Sequence, residues 1–231
     1  MNLHTNPLVI RARNIGRALG LNRLIARMTV DKEYESRFEK TLIARLQPGD
    51  TIYDIGANVG HYTAIFSDTV GEAGHVVAFE PSPANHARLT GALEGRANCT
   101  TFNIGLADAA GQLSFVQGED DLGATSRFAE TGDAHAIPVS VERGDAVMAE
   151  LGCRKPNALK VDVEGYELEV LQGFGAALSN ADLHTVAVEI HFGILAERKM
   201  SDAPARISSL LEGHGFTLTW PDGSHLVAMR P

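Results

Sequence analysis

The chain is poor in cysteine, in basic charge and in long apolar runs, and each shortage removes a class of function. Its 231 residues hold two cysteines, Cys99 and Cys153, without close metal-ligand spacing. A disulfide scaffold and a thiolate zinc site are therefore excluded, and both are expected as free thiols. Lys and Arg total 20 against 29 acids, a net charge of −9. That balance argues against sequence-independent binding to nucleic acid or to an anionic membrane, and favours a small neutral or cationic substrate. No stretch approaches the length of a membrane span, and the first residues lack the apolar core of a signal peptide, so a cytoplasmic protein is expected. With 44% hydrophobic residues the length suits one domain with a full core. The division expected is a helical extension over 1–47 and a catalytic domain over 48–231. A homodimer is compatible with this composition, and nothing in the pattern requires one.

One more absence is local. Thr51 to Gly60, TIYDIGANVG, reads as an apolar strand entering a glycine-rich turn that opens a helix. A dinucleotide fingerprint would place a second glycine where Asn58 stands between Gly56 and Gly60. Asp54, just before the turn, would repel a diphosphate, whereas it suits an ammonium group. The turn thus favours S-adenosylmethionine, which carries an amino-acid end, over NAD. An NAD-dependent oxidoreductase and a non-catalytic cofactor-binding module remain as alternatives.

A second apolar strand, GHVVAFEPSP, ends in Glu80, which follows Gly56 by 24 residues. Doubly wound folds place an acid at about that spacing on the ribose hydroxyls. Strands over 51–55, 75–80 and 98–102 then alternate with helices from about 60 and 84, the pattern of a parallel α/β sheet. GQLSFVQG (111–118) reads as a hairpin arm. The polar stretch 119–135 reads equally as a lid or as a plain surface loop.

Two further strands carry the candidate chemistry. ALKVDVEG (158–165) sets Asp162 and Glu164 on one side by two-residue alternation, and HTVAVEIHF (184–192) does the same for Glu189 and His191. All four acids and bases fall at the carboxyl edge of the sheet, where open α/β folds bind ligands. His191 is the first candidate for a general base, with Glu189 orienting it. The competing arrangement gives Asp162, Glu164 and Glu189 a divalent cation such as Mg2+ that would acidify a hydroxyl. Asp162 is also a candidate for the cofactor's amino group, and Glu164 for a helix N-terminus. A helix over about 202–214 and strands over 216–220 and 225–229, joined by Pro221-Asp222-Gly223, close the pattern. Ahead of the domain, Tyr34, Phe38, Leu42, Ile43 and Leu46 recur at helical spacing, and a basic segment contains Arg11, Arg13, Arg17, Arg23 and Arg27.

TIYDIGANVGHYT, VVAFEPSPANHARL, NIGLAD, LKVDVEGYELEVLQGF and VEIHF, in that order, resemble the FkbM family of S-adenosylmethionine-dependent methyltransferases over roughly residues 34–192. The resemblance implies a Rossmann-like class I methyltransferase fold: a mostly parallel seven-stranded sheet with helices on both faces. It also implies O-methylation of a hydroxyl on a small molecule such as a sugar, glycoside or polyketide. By resemblance Asp54, Gly56, Ala57, Asn58 and Gly60 hold the methionine part. Glu80, Pro81 and Ser82 hold the ribose, and Asn103, Ile104, Gly105 and Leu106 the adenine edge. The chain departs from the family where it reads Gly105-Leu106-Ala107-Asp108 in place of A-L-S-D.

Overall fold

Alternation along the strands decides which way each face looks. Ile52, Val76, Ala158, Ala187 and Val227 share one core cluster, whereas Tyr53, Val77, Leu159, Val186 and Leu226 share another. Successive residues thus bury on opposite faces, and a sheet apolar on both faces must be covered on both. The computed structural model describes residues 32–116, 127, 128, 136–150 and 152–231. In it β1 (Thr51–Ile55), β2 (His75–Phe79), β3 (Cys99–Phe102), β8 (Ala158–Val161), β9 (Thr185–Glu189), β10 (Thr217–Thr219) and β11 (His225–Met229) form a seven-stranded sheet of order β10-β11-β9-β8-β1-β2-β3. Only β11 runs antiparallel to both of its neighbours. The expected class I architecture is what the chain adopts.

Helices α1 (Lys32–Ile43) and α2 (His61–Val70) contribute Phe38, Leu42, Phe66 and Val70 to one face. Helix α3 (Pro83–Ala92) adds a small cluster there through Leu89. The other face is covered by α4 (Gly144–Glu150), α5 (Glu167–Phe174) and α7 (Ala203–Gly213), with the short α6 (Phe192–Glu197) at its rim. Among the described residues no helix is long and apolar enough to cross a membrane.

The segment expected as a hairpin arm is β5 (Gly111–Val116), and it belongs to a second sheet. That sheet has order β4-β7-β5-β6, with β4 (Gly105–Ala107), β6 (Arg127–Phe128) and β7 (Ala136–Arg143). Its main partner, β7, lies beyond the polar stretch, so the pairing is non-local. Of the stretch 119–135 only β6 is described; the rest, with its expected lid, lies outside the described residues, as does the basic segment from Arg11 to Arg27.

Candidate functional site

The turn after β1 is shaped by backbone crowding. Gly56 has φ 81°, and a Cβ there would lie 1.8 Å from the carbonyl oxygen of Asp162. Only glycine lets β1 and β8 meet at that point. Gly56 and Ala57 both donate to the Phe79 carbonyl, and Asn58, at φ 51°, donates its backbone N–H to Glu80 Oε2 at 2.9 Å. Gly60, at φ 92°, then caps α2.

The turn borders a cavity of about 590 Å3 including its mouth, lined by Gly56, Asn58, Glu80, Pro81, Gly105, Leu106, Phe115, Asp162 and Glu164 among others. Glu80 is buried and accepts from Ser82 N at 2.8 Å as well as from Asn58. Burial pushes its carboxyl up to about 7, against the pull of those two bonds and of Lys160. Asn58 Oδ1 is buried without a hydrogen-bond partner at the same cavity.

Several residues named for the cofactor are not among those lining this cavity. Asp54 is fully buried beneath the turn, where Oδ2 accepts from Thr63 at 2.6 Å and Oδ1 lies 3.3 Å from Lys160 Nζ. It is not among the residues lining the cavity, and its carboxylate is engaged by Thr63 and Lys160. Ala57 packs with Leu89, and Ser82 is buried as the cap of α3, accepting from Asn85 N. A Cβ on Gly60 would meet Leu89, and Ile104 packs against the core. Asn103 does not line the cavity; it holds the Glu80 strand end by donating to the Glu80 and Pro81 carbonyls at 2.9 and 3.1 Å.

Strands β8 and β9 are both shorter than their sequence patterns. After Val161 the chain turns at Glu164 and Gly165, with φ 50° and 93°, and after Glu189 it turns into α6, capped by His191. The turns still bring Asp162, Glu164 and His191 together. His191 Nε2 stands 3.2 Å from Glu164 Oε2 and 3.7 Å from Asp162 Oδ1. His191 Nδ1 lies 2.7 Å from Oε1 of Glu167, a fully buried carboxylate that also accepts from Gly165 N. Glu189, expected to orient His191, instead faces His225 across the β9–β11 ladder, 3.4 Å from its Nε2. A residue at the last ladder position is held by its cross-strand partner.

The electrostatics follow from this geometry. Burial opposes a charge on His191, but Glu167, Asp162 and Glu164 outweigh it and raise the imidazole to about 10. Burial raises Glu164 to about 7, reinforced by Asp162, Glu189 and Glu167 and opposed by His191. Asp162 is also desolvated, yet Lys160 and His191 hold it below the usual range. Glu167 was missed in the sequence. Its signal is position: it opens α5 three residues after Glu164, in the first turn where acids are favoured.

Residues 54–218 match the family described as the methyltransferase FkbM domain. The chain belongs to the FkbM family of methyltransferases. Among relatives of this chain, the hexuronic acid methyltransferase AglP of Haloferax volcanii is 33% identical over 172 residues, covering 70% of this chain and 68% of AglP. The 31-O-demethyl-FK506 methyltransferase FkbM of Streptomyces tacrolimicus is 28% identical over 208 residues, covering 75% of each chain. The solved O-methyltransferase TomG of Streptomyces achromogenes, in complex with S-adenosylmethionine, shares the fold at TM-score 0.51 and 13% identity, over 85% of this chain and 80% of TomG.

The cofactor is S-adenosylmethionine, and the cavity fits it. Asn58 Oδ1 is a buried acceptor in want of a donor, and each Glu80 oxygen keeps a lone pair beyond its backbone bond. Both suit a ligand carrying an ammonium group and a ribose diol.

A prediction arises at the rim. His225 is buried, lies 2.8 Å from Asp222 Oδ2, and stacks on Phe38 at 4.1 Å between ring centroids. Burial lowers its affinity for a proton, but Asp222 and Glu189 win and raise it to about 9 from 6.5. A group raised on folding contributes stability in full below its unfolded pKa and loses it as pH rises through the folded one. Urea unfolding of the wild type should therefore show stability falling between about pH 6.5 and 9. His225→Gln should flatten that fall without abolishing it, since His191 is raised as well; an unchanged slope would remove His225 from the account.

Proposed function

We propose that this FkbM-family methyltransferase transfers the methyl group to an oxygen of a small molecule, a hydroxyl on a sugar, glycoside or polyketide-like acceptor. The observation that carries the reading is the meeting of Asp162, Glu164 and His191 at the wall of the cofactor cavity, since Asp162 and Glu164 line that wall. Bound S-adenosylmethionine supplies an electrophilic methyl on a sulfonium sulfur. The protein must then place an oxygen in line with that methyl and take its proton as the bond forms.

The charges reassign the base. With a raised pKa and carboxylates at both ring nitrogens, His191 holds its proton at working pH. Glu164 is displaced to about 7, where a carboxylate is both ionised and basic enough to accept a hydroxyl proton. Glu164 therefore takes the proton, and the imidazolium beside it orients the carboxylate and stabilises the charge. The acidic surroundings favour an acceptor without dense negative charge of its own. The names of two relatives, one on a hexuronic acid and one on 31-O-demethyl-FK506, support an oxygen acceptor of this class.

The test is a methyl-transfer assay with isotopically labelled cofactor on a panel of neutral glycosides, hexuronic acids and hydroxylated polyketides. A product heavier by one CH2 is expected, with NMR placing the new methyl on a hydroxyl oxygen. A methyl found on nitrogen or carbon, or on the carboxylate of a hexuronic acid alone, would sink the hydroxyl reading.

A further inference from the structure

Beyond methyl transfer, the structure assigns Asp162, Glu164 and His191 to a binding site for one divalent cation of the manganese or magnesium class. One ligand atom of each residue lies within 4.8 Å of the other two. Donors held about 2.1 Å from an octahedral ion stand roughly 3–4 Å from one another. His191 Nε2 is 3.2 Å from Glu164 Oε2 and 3.7 Å from Asp162 Oδ1, so the separations match neighbouring positions around one ion.

A separate observation comes from a residue outside the triad. Glu167 is fully buried and reaches the site through the 2.7 Å contact of its Oε1 with His191 Nδ1, and its other oxygen, Oε2, has no hydrogen-bond partner. A carboxylate on the far nitrogen is the support that metal-binding histidines carry: it fixes the tautomer and turns the opposite nitrogen to the ion. Lys160 does the equivalent for Asp162, binding Oδ2 at 3.2 Å and leaving Oδ1 to the triad. Two carboxylates and an imidazole suit Mn2+ or Mg2+ with water in the open positions, and neither cysteine belongs to the group. Glu189, held by His225, is not a ligand. Uptake of the ion replaces the proton on Nε2, which leaves to solvent.

Ion binding does not depend on the nature of the acceptor. The consequence for catalysis does rest on the hydroxyl reading: in the ion-bound state the cation would take the place of the His191 imidazolium beside Glu164, draw the acceptor oxygen to an open position and acidify it, with Glu164's second oxygen receiving the proton.

The experiment therefore omits the acceptor. The full chain, stripped with chelator, is titrated with MnCl2 while electron paramagnetic resonance follows the free ion. One Mn2+ per chain is expected, displaced by Mg2+, with Glu164→Gln and His191→Ala each weakening it at least about tenfold and Glu167→Gln by about 10–100-fold. Thermal melting checks that each variant folds, and Glu164→Gln, at a partly exposed position, decides the matter should the others not. Absence of a saturable site up to millimolar free Mn2+, or an affinity that Glu164→Gln leaves unchanged, overturns the proposal. Neither result touches the acceptor panel, so the two readings fail separately.

Discussion

Gly56→Ala should weaken cofactor binding about a hundredfold and destabilise the fold together. The new methyl would stand 1.8 Å from the Asp162 carbonyl oxygen, a backbone atom with no rotamer to escape into, and φ 81° is a left-handed conformation that alanine resists. Left-handed strain costs about 1–3 kcal/mol and overpacking a close contact about as much again. A total of roughly 2–6 kcal/mol must be relieved by parting the ends of β1 and β8, which moves the turn and Asp162 at once. If about 3 kcal/mol of it falls on the bound geometry, affinity for S-adenosylhomocysteine drops about a hundredfold. Calorimetry and urea unfolding read the two effects. Gly60→Ala is the internal comparison: its Cβ would meet a flexible end, Leu89 Cδ1 at 2.8 Å, so it should cost less. Equal effects at the two positions would show that backbone strain alone is at work and that the β1–β8 contact is not the constraint.

That pair of glycines also shows where the sequence could be read and where it could not. A glycine after a buried strand announces a tight turn, and the turn is there. The reason for Gly56, contact with the carbonyl of a residue more than a hundred positions away, has no local signature. The seven-stranded sheet was legible because its five inner strands, β1, β2, β8, β9 and β11, are apolar on both faces and the elements alternate with amphipathic helices. The second sheet was only half legible, since β5 read as a hairpin arm while its partner β7 lay beyond a polar stretch. Ionisable residues at the strand ends marked the right edge of the sheet, but their pairing follows from where each strand stops. Two-residue alternation joined Glu189 to His191; the strand ends at Glu189, so the ladder gives Glu189 to His225 and leaves His191 to Glu167. Asp54 was assigned to the ligand by its place before the turn. What the sequence hid is Lys160, one strand away, which meets it first.

Lys160→Met is the sharpest probe of that hidden pairing. The ammonium is almost wholly buried; it donates to the Gly56 carbonyl at 2.9 Å and stands 3.3 Å from Asp54 Oδ1 and 3.2 Å from Asp162 Oδ2. Burial alone would discharge it, but the two carboxylates outweigh that and raise its pKa. Methionine has nearly the length of lysine without the charge, so packing is kept while Asp54 is left buried with only Thr63 beside it. Breaking such a pair from one side costs about 3–5 kcal/mol, most of it the desolvated charge left behind. Urea unfolding should register that loss. Asp54→Asn in the same chain removes the stranded charge, so the double variant should recover most of the stability. Cofactor affinity should stay depressed in both, because the Gly56 carbonyl and Asp162 have still lost the cation that ties the turn to the wall of the cavity. Full recovery of S-adenosylhomocysteine binding in the double variant would show that Lys160 serves only to neutralise Asp54, and its contact with the turn would then be incidental.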